Sequence, residues 1–144
     1  MNTTLNAADT KVSPAVWFAR ILGLVLTVVG LVGFTMTTSV DSTSSLLGFD
    51  INLSENIIHL ATGLVGLVAG LAILTWARSF ALILGVVYLA TGIWGLFDSN
   101  PLSIFGNLNS ADNALHIGIG VVGLIVFAVS RSTVISSGTF TTPR

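Results

Sequence analysis

The sequence predicts an all-α membrane protein with four transmembrane helices, arranged as two parallel helix hairpins. Three observations carry this expectation. The 144-residue chain is 53% hydrophobic and only 8% charged, where a soluble domain of this size carries roughly 25% charged residues. Four stretches stay apolar over about the 20 residues that a helix needs to cross a bilayer. One polar phrase occurs twice, as Glu55-Asn56-x-x-His59 and as Asp112-Asn113-x-x-His116, and it holds the two histidines of the chain.

Residues 1–13 are polar and read as a cytoplasmic tail. The apolar run behind them has full spanning length, so it is not the short core of a cleaved signal peptide. Span one is expected over Ala15–Thr35 and span two over Ile57–Ala77. A tight turn around Ala77-Arg78-Ser79 then makes spans two and three antiparallel neighbours. Span three covers Ser79–Phe97. Span four covers Ala114–Ser130, with its helix starting near Asp112, and residues 131–144 form a second cytoplasmic tail. The organisation is therefore 1–13 tail, 14–77 first hairpin, 78–130 second hairpin and 131–144 tail.

Charge orients the chain. Lys11, Arg20, Arg78, Arg131 and Arg144 all fall before span one, between spans two and three, or after span four. The opposite loops, 36–56 and 98–113, hold Asp41, Asp50, Glu55, Asp98 and Asp112 and no basic residue. The positive-inside rule then places both termini in the cytoplasm. Trp17 and Trp76 sit at the inner boundary and Trp94 near the outer one, as interfacial anchors do. The apolar patches Leu46–Phe49 and Leu102–Gly106 are expected to dip into the interface or lie over the bundle. The chain has no cysteine, which excludes disulfides and thiolate metal sites. Nothing in it is basic enough to suggest nucleic acid.

The doubled phrase extends into a glycine pattern. Gly63 and Gly66 match Gly120 and Gly123 at the same offset, while Gly23, Gly30 and Gly33 match Gly85, Gly92 and Gly95. Two hairpins entering from one side are parallel repeats about an axis along the membrane normal. Asn56, His59, Gly63, Gly66 and Gly70 are spaced three, four, three and four apart, which is one face of a helix. Glycine stripes mark helix–helix contact in membranes, so the histidines on that stripe are expected to face the bundle.

Several readings of the phrase stand side by side. Ser54, Glu55, Asp112 and Asn113 are suitable helix caps, and His59 and His116 one turn further in can bond to loop carbonyls and pin the outer loops. Alternatively His59, His116, Glu55 and Asp112 form a divalent-metal site, since two imidazoles and two carboxylates suit zinc or another first-row ion. The histidines can also be axial ligands of a haem b held between spans two and four, or handle protons or a substrate. Thr27, Thr62, Tyr88 and Thr91 can line a polar path, although each threonine hydroxyl can instead bond to its own helix. Gly63-Leu-Val-Gly66 and Gly120-Val-Val-Gly123 lie inside apolar spans and lack the strand and lysine of a nucleotide loop. No Ser-His-Asp arrangement and no mid-span carboxylate is present, so neither an enzyme nor an ion-coupled pump is expected.

The run Arg78…Leu84-Gly85-Val86-Val87-Tyr88…Gly92…Gly95-Leu96, with Asn56-Ile-Ile-His59 and Asp112-Asn113-Ala-Leu-His116, resembles a bacterial membrane family, domain of unknown function 4383. The resemblance covers roughly residues 16–130. It implies a four-helix integral membrane protein and no particular activity. Span one carries Leu26 or Thr27 where span three carries Tyr88. Size and lack of catalytic chemistry favour a structural or accessory subunit of a larger membrane complex, in contact with lipid and with other subunits or its own copies. A metal- or haem-binding protein and an oligomeric small-solute channel are the alternatives.

Overall fold

The computed structural model describes residues 12–37, 39, 43–98 and 108–130. Residues 1–11 and 131–144 of the tails, with Lys11, Arg131 and Arg144, lie outside the described residues, as do Asp41 and the patch 102–106. The chain is mostly helical, in the order α1 (Pro14–Met36), β1 (Ser44–Leu46), β2 (Phe49–Ile51), α2 (Leu53–Leu71), α3 (Ala77–Gly95) and α4 (Ser110–Val129). The four helical segments are long and apolar enough to cross a membrane.

Each helix start has a local cause. Ser13 caps α1, its Oγ accepting the Val16 N–H at 3.4 Å, and Pro14 fills the first helical position, where its missing N–H would have no partner anyway. Helices α2 and α4 open with capping boxes. In the first, the Asn52 side chain accepts the Glu55 N–H and the Glu55 carboxylate accepts the Asn52 N–H, both at 3.1 Å. In the second, Asn109 and Asp112 do the same at 3.1 and 2.9 Å. The exchange satisfies backbone donors that a helix start leaves free.

Two expectations are corrected here. The loop between α1 and α2, expected only as an apolar patch over Leu46–Phe49 that dips into the interface or lies over the bundle, forms an antiparallel hairpin at residues 44–51, with Leu46 opposite Phe49. Its two-residue turn, Leu47-Gly48, has φ of 55° and 91°. Two positive φ values in succession make the tight turn whose twist matches paired strands. Leu47 gives no composition signal for such a turn, so the sequence hides it. The second correction moves the connection after α2. That helix ends at Leu71, the Ala72 and Ile73 N–H groups both bond to the Val68 carbonyl at 2.9 and 2.8 Å, and a 3-10 turn at Leu74–Trp76 leads into α3. The break thus falls about five residues before the expected turn. Apolar residues continue through it, so hydropathy does not mark it.

Helix α1 packs along α2 and α3 along α4, with fewer contacts between the two pairs. The glycine faces make these contacts. A β-carbon at Gly23 would lie 2.7 Å from the Leu67 backbone nitrogen, and one at Gly85 would lie 2.9 Å from that of Leu124. At Gly30 the nearest atom is the Leu60 nitrogen, and at Gly92 the Asn113 oxygen lies 2.8 Å away. Gly63, Gly66, Gly120 and Gly123 supply the facing surfaces. Where the pairs meet, Ala15, Val16, Ala19, Leu26, Phe80 and Leu84 form the apolar core. Large apolar side chains such as Ile21, Leu24, Leu31, Leu64, Ile83 and Ile125 point outward. An apolar exterior over a partly polar interior is what a bilayer solvent permits.

At the end where α1 begins, three long-range bonds close the bundle. The Ala15 N–H donates to Ser130 Oγ at 2.9 Å. Arg20 Nε donates to the Gly70 carbonyl at 2.7 Å and Arg78 Nε to the Phe127 carbonyl at 3.3 Å. Both carbonyls belong to a last helical turn, where orphan acceptors and the helix dipole favour a cation.

Candidate functional site

The doubled phrase occupies the opposite end, at the starts of α2 and α4. Asn56 and Asn113 are buried and each lies on a glycine of the preceding helix. The Asn56 Nδ2 donates to the Thr37 carbonyl at 3.3 Å, and the Asn113 Nδ2 donates to the Gly95 carbonyl at 2.9 Å. Their Oδ1 atoms have no N–H or O–H donor. The place a β-carbon would take on Gly33 falls on Asn56 Oδ1, and on Gly95 it falls on Asn113 Oδ1. A Cα–H of each glycine therefore points at the oxygen, a weak hydrogen bond that only glycine permits here.

The acids serve the caps. Glu55 Oε2 accepts from Asn52 N–H and, at 3.3 Å, from Asn52 Nδ2. Asp112 Oδ2 accepts from Asn109 N–H and also from the Asp50 N–H at 3.1 Å. With Asn109 Nδ2 donating to the Gly48 carbonyl at 2.9 Å, the β-hairpin is tied to the start of α4. Ser54 and Asn113, expected as caps, are not caps; Asn52 and Asn109 take that role. They were missed although they stand at the same offset as the rest of the phrase, and that offset was the signal available.

The histidines differ from each other. His116 Nδ1 lies 2.7 Å from the Asp112 carbonyl. A carbonyl only accepts, so Nδ1 carries the proton and Nε2 is left as an acceptor. This partner is on its own helix, not on a loop as expected. His59 Nδ1 is buried with no partner, and so is the Tyr88 hydroxyl. The Tyr88 ring lies 4.9 Å from that of His116, tilted by 36°. Thr27 Oγ1 donates to the Gly23 carbonyl of its own helix at 2.7 Å, which takes it out of a polar path.

His59 and His116 both line one cavity of about 540 Å³ between α2, α3 and α4. Its end near the capping boxes holds Glu55, His59, Tyr88, Thr91 and His116. Towards the far end the wall is mostly apolar, with Val65, Ala69, Trp76, Phe80 and Ile83. Exposed Val65, Trp76 and Ile83 at its edge open it sideways between α2 and α3. Among the described residues, no group of three or more His, Asp or Glu side chains is arranged to hold a metal ion. The repeat pairs the two histidines, but Tyr88 belongs to neither copy of the phrase, so nothing in the sequence sets it beside them.

The model of the family described as domain of unknown function 4383 matches residues 17–129. The chain belongs to this family. No curated protein and no solved structure matches it. The segment shared with the domain of unknown function 4383 family contains both capping boxes and the whole cavity lining.

Proposed function

We propose that this multi-pass membrane protein is a non-enzymatic accessory or structural subunit that works by associating with another membrane helix, from a partner subunit or from a second copy. One observation carries this reading. Among the described residues every helical glycine except Gly118 lies against another helix, and Gly118 has no atom within 4 Å of where a β-carbon would sit. It stands on the exposed face of α4 with Ala114, Val122, Ile125 and Val129, and α4 is the helix least covered by the rest of the chain. A glycine facing only lipid gives up helix propensity for nothing, whereas Ala114-x-x-x-Gly118 is the small-residue spacing at which membrane helices meet closely.

In this reading the two hairpins are copies of one unit about an axis along the membrane normal. The matched pairs Gly33–Asn56 and Gly95–Asn113 support it. The charge bias supports cytoplasmic termini. No resident cofactor is proposed, because the carboxylates that would complete a metal site with the histidines are held in capping boxes. Metal analysis and a visible absorption spectrum of the purified protein check this, a stoichiometric ion or a Soret band being the contrary result.

The cysteine-free chain allows a direct test of association. In native membranes Gly118→Cys is expected to cross-link to a neighbouring helix under a short bismaleimide, and Ala90→Cys on the exposed side of α3 is not. A Gly118→Cys protein that stays monomeric, with no co-purifying subunit, overturns the reading.

A further inference from the structure

We propose that the cavity between α2, α3 and α4 binds an uncharged lipophile from the bilayer, one whose head carries a carbonyl or hydroxyl group. The site is separate from the α4 face described above, and its size decides what it can hold. The cavity offers about 540 Å³, within the roughly 300–1000 Å³ of small-molecule pockets.

The chemistry of its two ends is unequal. The apolar far part suits a hydrocarbon body, and the opening between α2 and α3 faces the surface that lipid would cover. At the polar end, the Tyr88 hydroxyl and His59 Nδ1 are buried without partners. Tyr88 is only 6% exposed. An unmatched buried polar atom costs roughly 1–3 kcal/mol, and folded proteins seldom leave two in one place. The tyrosine hydroxyl can donate to a carbonyl or hydroxyl oxygen. His116 Nε2, left unprotonated by the bond from Nδ1 to Asp112, can accept from a hydroxyl. The Glu55 carboxyl shares this end, and among the described residues no arginine or lysine lines the cavity, so an anionic head such as a fatty-acid carboxylate finds no counter-charge there.

The test uses the full chain in phospholipid nanodiscs. A short-tailed benzoquinone supplies a carbonyl head, hexadecanol a hydroxyl head, and palmitate at neutral pH an anionic one. Emission from Trp76, which lines the cavity, and the melting temperature report binding. The expected result is saturable binding of the benzoquinone, the alcohol or both, with palmitate ineffective. Binding of the benzoquinone alone assigns a quinone-type source, and binding of hexadecanol alone a long-chain alcohol. Tyr88→Phe keeps the ring and removes a hydroxyl that bonds to nothing in the protein. With that unmatched polar atom gone, the ligand-free protein should melt no lower than wild type, while binding weakens by roughly five- to tenfold. Val87→Trp, on the cavity wall, should abolish binding. Non-saturable signals, as from bulk acyl chains filling the space, overturn the proposal. So does palmitate binding as well as the neutral probes, or an unchanged affinity in Tyr88→Phe.

Discussion

The Asp112 carboxylate accepts the backbone N–H of Asp50 at 3.1 Å, 62 residues away in the chain. The same oxygen accepts the Asn109 N–H at 2.9 Å. One acid thus starts α4 and holds the hairpin of the loop between α1 and α2 against it. Among the described residues Glu55, its counterpart at α2, bonds locally to Asn52.

Asp112→Ala should therefore cost about 1–2 kcal/mol, the range for a lost helix cap, and free the 44–51 hairpin as well. Asp112→Asn keeps one acceptor oxygen and should lose less. Thermal unfolding in detergent gives the first quantity, and the rate of proteolysis within residues 44–51 gives the second. Equal proteolysis in wild type and Asp112→Ala would refute the tie.

Gly33→Ala and Gly95→Ala should each destabilise by about 1–3 kcal/mol, because the new methyl group overlaps the side-chain amide of Asn56 or Asn113 in a packed contact. Gly118→Ala, with open space around it, should stay within about 0.5 kcal/mol of wild type in an isolated monomer. A double-mutant cycle of Gly33→Ala with Asn56→Ala should show coupling, since the two groups touch.

Leu47→Asn should stabilise the hairpin by about 1 kcal/mol. Leucine is strained at a positive φ, and asparagine before glycine is the favoured pair for this turn. Leu47 is 91% exposed, so its replacement removes no packing within the chain. A melting temperature that falls would contradict the strain argument.

Arg20→Met should destabilise by about 1.5–3 kcal/mol, the worth of a hydrogen bond from a charged group, because the Gly70 carbonyl then loses its donor. Arg78→Met loses the longer bond to the Phe127 carbonyl and the stacking over the Phe127 ring at 4.0 Å. Arg20→Lys should recover only part of the loss, as the position of the guanidinium Nε differs from that of an ammonium. Chemical unfolding in mixed micelles measures all three.

The sequence by itself determined the class, the number of spans and the helix faces. These follow from composition and from spacing of three and four, which are local properties of a helix. Thus Asn56, His59, Gly63 and Gly66 could be placed on one stripe before any contact was known. The Asn52 and Asn109 caps were equally local and readable, but the expectation stopped one step short of them. Tertiary structure alone decided the rest. Hydropathy runs unbroken through Ala72–Trp76, so the end of α2 depends on how the chain turns into α3. The Leu47-Gly48 turn is set by backbone dihedrals that an exposed leucine does not announce. Tyr88 meets His116 only because α3 packs along α4, and the cavity exists because α2 and α3 stand apart. Contacts between helices far apart in sequence leave no period in the chain, and those contacts made the site.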